Sequence, residues 1–473
     1  MPHTTSGLHS MIGNIWPLLL HLSTIVTVLL AVILISQILR TPRKPAVSMG
    51  WILVIVFVPL IGIPLYLAFG ERKLKIVTRI AGKAQIHLPE SPEAHPHPVH
   101  SLLTSLGISP SSENNAVQFH QNGQAAWQAL SDLLGSARES IDIAIFILGD
   151  DPVGKAVLSR LTEKAAQGVQ VRLLLDGVGS FKTAQSDLNP LIRNGGEVAR
   201  FIPVLHRPLR GRTNLRNHRK MVIVDQKKVW TGGRNLAVEY LGPHCPADCW
   251  IDLSFCQQGP VISTYRTIFE ADWQFAVEGP APAVYRMSPT SSCGDSRIQV
   301  VPSGPDVADD PIYAAFLTAC YAAEKRILIV TPYFIPNSGI HEALKLASLR
   351  GVDVELILPA RSNHRLADIA RNRYLRELVK VGARVWLFPD KMVHAKALVF
   401  DRTLAMAGSA NMDYRSLFLN CEVMSCFYSN RDVGWLAHWI EVLRDQSAPY
   451  HPAKAGALKE MIEGLILLGG YEL

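Results

Sequence analysis

The stretch NHRKMVIVD, Asn217 to Asp225, decides the reading of this chain together with VHAKALVFD, Val393 to Asp401, which repeats it. Each sets a histidine and a lysine two residues apart, continues into four apolar residues and ends on aspartate. An apolar run behind a polar pair predicts a buried strand. Residues two apart on a strand point to the same face, so His218 projects with Lys220 and His394 with Lys396. Six residues beyond Asp225 comes Gly232-Gly-Arg-Asn235, and six beyond Asp401 comes Gly408-Ser409-Ala-Asn411. A single His-x-Lys arises often by chance. Two copies with identical internal spacing do not.

The flanks repeat as well. SARESIDIAIF (Ser136–Phe146) reads as a helix end feeding a strand, and GKAVLSRLTEKAAQ as a helix leading into the strand GVQVRLLLDG (Gly168–Gly177). Downstream, AAEKRILIVTPYF (Ala322–Phe334), HEALKLASLR and GVDVELILPA (Gly351–Ala360) play the same parts. Strand, helix and strand in this order predict a right-handed crossover and a parallel pair. Each copy adds a further strand, GEVARFIP or GARVWLFP, before its His-Lys strand. Repeated units with apolar strands imply an α/β sandwich with helices on both faces of a sheet. A period near 180 residues is too long for a solenoid and signals duplicated domains. We expect them at 116–285 and 286–473, related by a pseudo-twofold axis. A linker rich in Pro, Ser and His is expected at 86–115; His95, His97 and His100 there read as exposed linker residues rather than metal ligands.

At 473 residues the chain has room for about three domains, and the third candidate is N-terminal, at 1–85. Ile15 to Leu39 and Trp51 to Phe69 are both long enough to cross ~30 Å of hydrocarbon as helices. Residues 1–39 hold no Lys or Arg, which argues against a cleaved signal peptide. A membrane hairpin of two helices follows, with Trp16, Trp51 and Tyr66 near the span ends. Arg72, Lys73, Lys75, Arg79 and Lys83 outweigh Arg40, Arg43 and Lys44 of the turn, which places the body on the cytoplasmic side. The net charge of +7 suits a phosphate-bearing partner. Seven cysteines without regular spacing make neither a disulfide framework nor a zinc pattern, and a reducing compartment is the simplest reading.

One copy of the motif holds a His, a Lys and an Asn; two copies facing each other hold a pair of each. That set suits a phosphodiester. Two ammonium groups and the amides of Asn235 and Asn411 bind the non-bridging oxygens as a pentacovalent phosphorus forms. Gly232 and Gly408 would let the backbone approach the anion. One neutral imidazole attacks phosphorus while the other, protonated, gives its proton to the leaving alkoxide. With an unperturbed pKa of ~6.5, opposite protonation states cost little at neutral pH. The scheme needs neither metal nor cofactor. Asp225 and Asp401 complete the candidate catalytic set, although both open hairpin turns and read better as turn or salt-bridge residues. An attacking imidazole needs its other nitrogen held by an acceptor; Asp252, Glu239, Asp413 and Glu422 are equal candidates on spacing alone.

These motifs resemble the phospholipase D superfamily, whose HxKx4Dx6GSxN signature is carried twice, and more narrowly bacterial cardiolipin synthases. The first copy departs in having Gly233-Arg234 where Ser-x is usual, and Ser409 keeps the serine in the second. PLIGIPLYLAFGERK, TPYFIP and NMDYRSLFLNCEV carry the narrower likeness, which covers nearly the whole chain. The resemblance implies a phosphatidyl transfer between two phosphatidylglycerols through a phosphohistidine, with release of glycerol. It implies His218 as nucleophile and His394 as acid, then base. It also selects among the carboxylates: Glu422, in the Asn-Cys-Glu after the second motif, would orient that motif's histidine, with Asp252 its counterpart for the first. Glu239 and Asp413 become supporting residues. The expected partners are an anionic phospholipid and the bacterial inner membrane, crossed more than once, rather than nucleic acid. The sequence does not give the oligomeric state. A phosphodiester hydrolase of the same superfamily, acting on phospholipid or nucleic acid, is the alternative; a non-catalytic scaffold is disfavoured because neither copy has lost His, Lys or Asn. Arg207, Arg210, Arg212, Arg216 and Arg219 before and within the first motif read either as a headgroup site or as a solvated basic loop. The C-terminal AGALKEMIEGLILLGGYEL reads either as an interfacial helix or as a packing helix.

Overall fold

The computed structural model describes residues 6–40, 45–70, 73, 97–203, 214–245, 248–277, 292–453 and 456–468. The protein divides into an N-terminal helical unit and a large α/β unit carrying both motifs.

The helical unit contains α1 (Ser6–Arg40), α2 (Pro45–Phe57) and α3 (Pro59–Phe69). Within α1, Leu19–Arg40 is long and apolar enough to cross a membrane. The second apolar stretch differs from the expected single span. It breaks at Val58 (φ −137°, ψ 60°), where Pro59 disfavours a helical conformation for the residue before it. Its pieces, 13 and 11 residues, are about 20 and 17 Å long at 1.5 Å per residue, each short of a bilayer core. Gly62 permits α3 to fold back, since a Cβ there would stand 2.5 Å from the Val54 carbonyl oxygen. Leu34, Ile38, Ile55, Ile63 and Tyr66 bury their side chains together. Trp51 and Tyr66, expected near the span ends, pack edge to face, centroids 5.3 Å apart.

The α/β unit opens with α4 (Pro98–Ser105), inside the expected linker. Pro98 starts this helix, His97 Nδ1 accepts the Val99 N–H at 3.2 Å, and Val99 and Leu103 sink into the core of the second lobe. The linker reading therefore fails for 97–115; the i, i+4 apolar pair was the overlooked signal. His97 and His100 pack against Tyr428, while His95 lies outside the described residues. The first lobe runs β1 (Ser112–His120), α5 (Gly123–Ser136), β2 (Ser140–Ile145), α6 (Pro152–Ala166), β3 (Gln170–Asp176), α7 (Gln185–Arg193), β4 (Glu197–Phe201), β5 (Met221–Val224), β6 (Lys228–Gly232), β7 (Ser254–Gln258) and α8 (Ile262–Ala276). The second runs β8 (Ser296–Ser303), α9 (Pro311–Ala322), β9 (Arg326–Val330), β10 (Phe334–Ile335), α10 (Ser338–Leu349), β11 (Asp353–Pro359), α11 (Arg365–Lys380) and β12 (Arg384–Phe388). It continues with β13 (Ala397–Phe400), β14 (Leu404–Gly408), β15 (Met412–Asp413), α12 (Tyr414–Phe418), β16 (Glu422–Phe427), α13 (Asn430–Asp445), β17 (Ala448–Pro449) and α14 (Ala457–Leu468).

Every strand predicted around the motifs is present, and β2·β3 and β9·β11 are parallel as expected. The sheet order is β17-β12-β11-β9-β13-β14-β16-β8-β1-β7-β6-β5-β2-β3-β4. Reading outward from the β8–β1 junction gives the same series of seven equivalent strands in both directions, with β17 added at the edge of the second lobe, which is pseudo-twofold symmetry. One sheet thus runs through both lobes. Its central strands are buried on both faces, which explains their continuous apolar runs. Asp225 and Asp401 sit in left-handed turns (φ 50° and 53°). Asp225 accepts the N–H groups of Arg138, Glu139 and Ser140, and Asp401 those of Glu324, Lys325 and Arg326. Each ties its hairpin to the start of the neighbouring strand, away from the histidines. They leave the catalytic set and hold the fold, as the turn reading had it.

Candidate active site

Each motif histidine leaves its strand at the seam between the lobes and is held by the other lobe. The His218 N–H donates to the Cys421 carbonyl at 2.9 Å, and the His394 N–H to the Ile251 carbonyl at 2.7 Å. The side chains cross in the same way. His218 Nδ1 meets Glu422 Oε1 and Oε2 at 2.9 and 3.0 Å, while His394 Nδ1 meets Asp252 Oδ2 at 2.7 Å. The expected carboxylates are present, but the partners are exchanged. Glu422 follows the second motif in sequence and serves the histidine of the first. The reason is topological: the carboxylates begin β16 and precede β7, the strands flanking the central β8–β1 pair, so each faces across the seam. With Nδ1–H donated to a carboxylate, Nε2 keeps its lone pair.

Both lysines are buried beside the rings. Lys220 Nζ donates to the His218 carbonyl at 2.8 Å and lies 5.5 Å from the Phe146 ring centroid. Lys396 Nζ donates to the His394 carbonyl and stands 2.7 Å from Nδ1 and 3.1 Å from Nε2 of the same ring. Burial dominates the titration of all four groups. It lowers the imidazoles of His218 and His394 to about 4 and about 3, against the opposing pull of Glu422 and Asp252. The ammoniums of Lys220 and Lys396 come down to about 7 and about 8. Burial thus favours the neutral form of both imidazoles, where one charged and one neutral ring were expected. The carboxylates stay ionised. Burial alone would raise them, but Lys396 and His394 hold Asp252 at about 2, and His218 and Lys220 hold Glu422 below the ordinary value.

The glycine-led turns differ from their expected role. Gly232 (φ +131°) packs on the next strand, where a Cβ would fall 2.7 Å from the Ser254 Cα; Gly408 packs likewise on Val423 and Met424. Close approach of strands requires these glycines. Ser409 donates to Glu422 Oε2 at 2.5 Å and accepts the Val423 N–H at 3.0 Å, so it orients the carboxylate that holds His218. In the first copy a Cβ on Gly233 would collide with the Asp252 carboxylate. The shorter acid leaves no room for serine, which accounts for the departure from the signature. Asn235 Oδ1 accepts the Ile147 N–H at 3.2 Å, and buried Asn411 has an Oδ1 without a hydrogen-bond partner among the described residues. Glu239 and Asp413 touch neither histidine: Asp413 caps α12 through the Ser416 N–H at 2.8 Å, and Glu239 contributes its backbone carbonyl to Trp250.

Several residues escaped the sequence reading. Phe146 lies edge-on to His218, and Tyr240, Trp250 and Tyr333 surround His394, with ring centroids 4.9 to 6.5 Å away. Arg219 and Arg216 form no basic headgroup loop. Arg219 is fully buried, pairs with Asp272, and reaches Asp306 at 2.8 Å and the Glu422 carbonyl at 3.1 Å. Arg216 donates to the Ile202 carbonyl at 2.9 Å beside Asp176. The signal was available: Arg219 lies between His218 and Lys220 on an extended segment, so it must face the opposite side. Arg207, Arg210 and Arg212 lie outside the described residues.

Fold and site together define a phospholipase D-superfamily protein: two symmetric lobes, each lending a His-Lys pair to a common seam. A family model described as "Cardiolipin synthase, PLD-like domain" matches residues 130–273 and 317–444, and one described as "Phospholipase_D-nuclease N-terminal" matches 26–71. The chain is 32% identical over 437 residues to cardiolipin synthase A of Pseudomonas aeruginosa, covering 89% of each. It is 32% identical over 436 residues to the major cardiolipin synthase ClsA of Bacillus subtilis, covering 88% of this chain and 90% of that one. Phosphatidylserine synthase of Haemophilus influenzae, 13% identical, shares the fold with a TM-score of 0.58 over 76% of this chain and 95% of its own. The chain belongs to the cardiolipin synthase family with phospholipase D-like domains.

Proposed function

We propose that the protein makes cardiolipin from two phosphatidylglycerols by phosphatidyl transfer through a histidine. The crossed carboxylate–imidazole pairs carry this reading, because each holds Nδ1; Nε2 of His218 is left for attack, and Nε2 of His394, 3.1 Å from Lys396 Nζ, is the proton carrier. His218 Nε2 attacks phosphorus, and the departing glycerol oxygen takes its proton from His394. His394 then removes the proton from a glycerol hydroxyl of the second lipid. That oxygen attacks phosphorus, the bond to His218 breaks, and cardiolipin leaves. Lys220 and Lys396 with Asn235 and Asn411 hold the non-bridging oxygens. The anionic phosphodiester supplies the field that protonates His394, which burial otherwise keeps neutral. The roles of the two histidines follow the family resemblance.

The protein resides in the bacterial inner membrane in this reading. The apolar α1 is a membrane span, α2 and α3 together form the second membrane element, and the α/β unit lies on the cytoplasmic side. Anchoring beside an insoluble substrate and excluding water favours transfer over hydrolysis. Purified protein given phosphatidylglycerol alone should yield cardiolipin and glycerol, read by mass spectrometry. Phosphatidic acid without cardiolipin would reject the synthase and leave a hydrolase.

A further inference from the structure

The C-terminal helix α14 is inside out. Leu458, Met461 and Leu465 are 67, 56 and 60% exposed and, with Ile462, form one stripe at i, i+3, i+4 and i+7. The acidic residue faces inward instead. Glu463 is fully buried, and its Oε1 accepts from Arg376 of α11 at 3.0 Å, with Oε2 also bound by that guanidinium. Ile466 and Leu467 pack on Ile335, Ala367 and Ala370. Because Glu463 meets Arg376 while Ile466 and Leu467 meet Ala367 and Ala370, the two helices run antiparallel. The end of α14 therefore comes to the start of α11, beside Tyr333, whose ring centroid is 6.5 Å from that of His394. There, on α11, Leu366 is also 53% exposed. The ion pair fixes the orientation, so the apolar row faces outward as part of the fold.

We propose that this stripe is a docking surface for an anionic lipid bilayer, which holds the His394 side of the seam near the headgroups. The inference deepens the lipid-transfer reading and rests on it for the identity of the substrate. Three observations choose the occupant. Lys459 on α14 and Arg365 on α11 are exposed cations, while Arg373 pairs with Glu377 and Glu460 is exposed on α14; the two helices together carry six basic and four acidic residues, a net positive charge that complements anionic headgroups. On the first lobe Phe181 is also exposed, in the loop whose Ser180 hydroxyl donates to the Phe146 carbonyl at 2.8 Å, and Phe146 touches His218, so each lobe carries exposed apolar side chains on an element next to its motif histidine. A stable interface with a second copy buries about 800 Å² per partner, more than one face of so short a helix supplies.

The test uses the full chain in phosphatidylglycerol-rich vesicles doped with a lipid carrying a photoactivatable diazirine in its acyl chain. After irradiation, mass spectrometry should find lipid adducts on residues 457–468 as well as on α1. Adducts on α1 with none on α14 would overturn the proposal. Replacing Leu458→Ser, Met461→Ser and Leu465→Ser together should remove the α14 adducts. It should also slow turnover of vesicle lipid by about 10-fold or more while sparing a soluble short-chain phosphatidylglycerol; equal loss on both substrates would overturn the docking role. Adducts on α14 in a chain that makes no cardiolipin would keep the surface and reject the reaction.

Discussion

Glu422→Gln should disable His218, and Asp252→Asn should disable His394, because each carboxylate serves the other lobe's histidine. The pair at 2.9–3.0 Å is a buried, charge-assisted hydrogen bond. Such bonds contribute about 1.5–3 kcal/mol, or roughly 10- to 150-fold at ~1.36 kcal/mol per decade. An amide can also donate to Nδ1, which leaves the proton on Nε2 and blocks attack. The analogous change in the serine-protease triad lowers kcat by ~10⁴, so a loss of about 10²- to 10⁴-fold is expected here. The assay is a single turnover in a His394→Ala background with a p-nitrophenyl phosphatidyl ester, whose leaving group needs no acid. The burst of p-nitrophenolate then reports phosphatidylation of His218 alone. Adding Glu422→Gln should slow the burst by about 10²-fold or more, and adding Asp252→Asn should leave it within about 3-fold. A burst insensitive to Glu422 but sensitive to Asp252 would refute the crossed pairing. A burst in His218→Ala but not in His394→Ala would reverse the nucleophile and acid.

Four further outcomes follow from the same contacts. Burial lowers the ammoniums of Lys220 and Lys396 to about 7 and about 8, so kcat/KM should fall as pH rises through that window; a profile flat there would contradict charge-based phosphate binding. Both folded values lie below the unfolded ~10.4, so these groups raise stability from pH ~7 upward while affinity declines, a divergence that denaturation at several pH values would reveal. Asp225→Ala should lose about 1–3 kcal/mol of stability through its unpaired N–H groups, with activity per folded molecule retained; a selective loss of activity would restore it to the chemistry. Asp306→Ala should cost about 3–5 kcal/mol in chemical denaturation by leaving Arg219 part-paired in the seam. Activity should survive EDTA, since two imidazoles and two ammoniums supply the chemistry; loss restored by a divalent ion would defeat the two-histidine scheme.

The duplicated motif was legible because its signals are local. A His-x-Lys at strand spacing and apolar runs of strand length made the pairs His218/Lys220 and His394/Lys396 and the βαβ frames readable. The reading failed where a local pattern served a longer-range contact. Pro and His at 97–100 resemble linker composition, yet Val99 and Leu103 find a core contributed by the second lobe. Val58–Pro59 lies inside a hydropathy window that cannot register a broken helix.

Sequence by itself determined which side chains would point together, because strand periodicity constrains neighbours two residues apart. Only the tertiary structure decided that Glu422 belongs to His218 and Asp252 to His394, since those partners are 204 and 142 residues apart and meet through the symmetry of one shared sheet. It also decided that burial lowers the pKa of both imidazoles and turns Arg219 into a strut. Desolvation and crossing contacts depend on the packed lobes together, and no single stretch of chain encodes them.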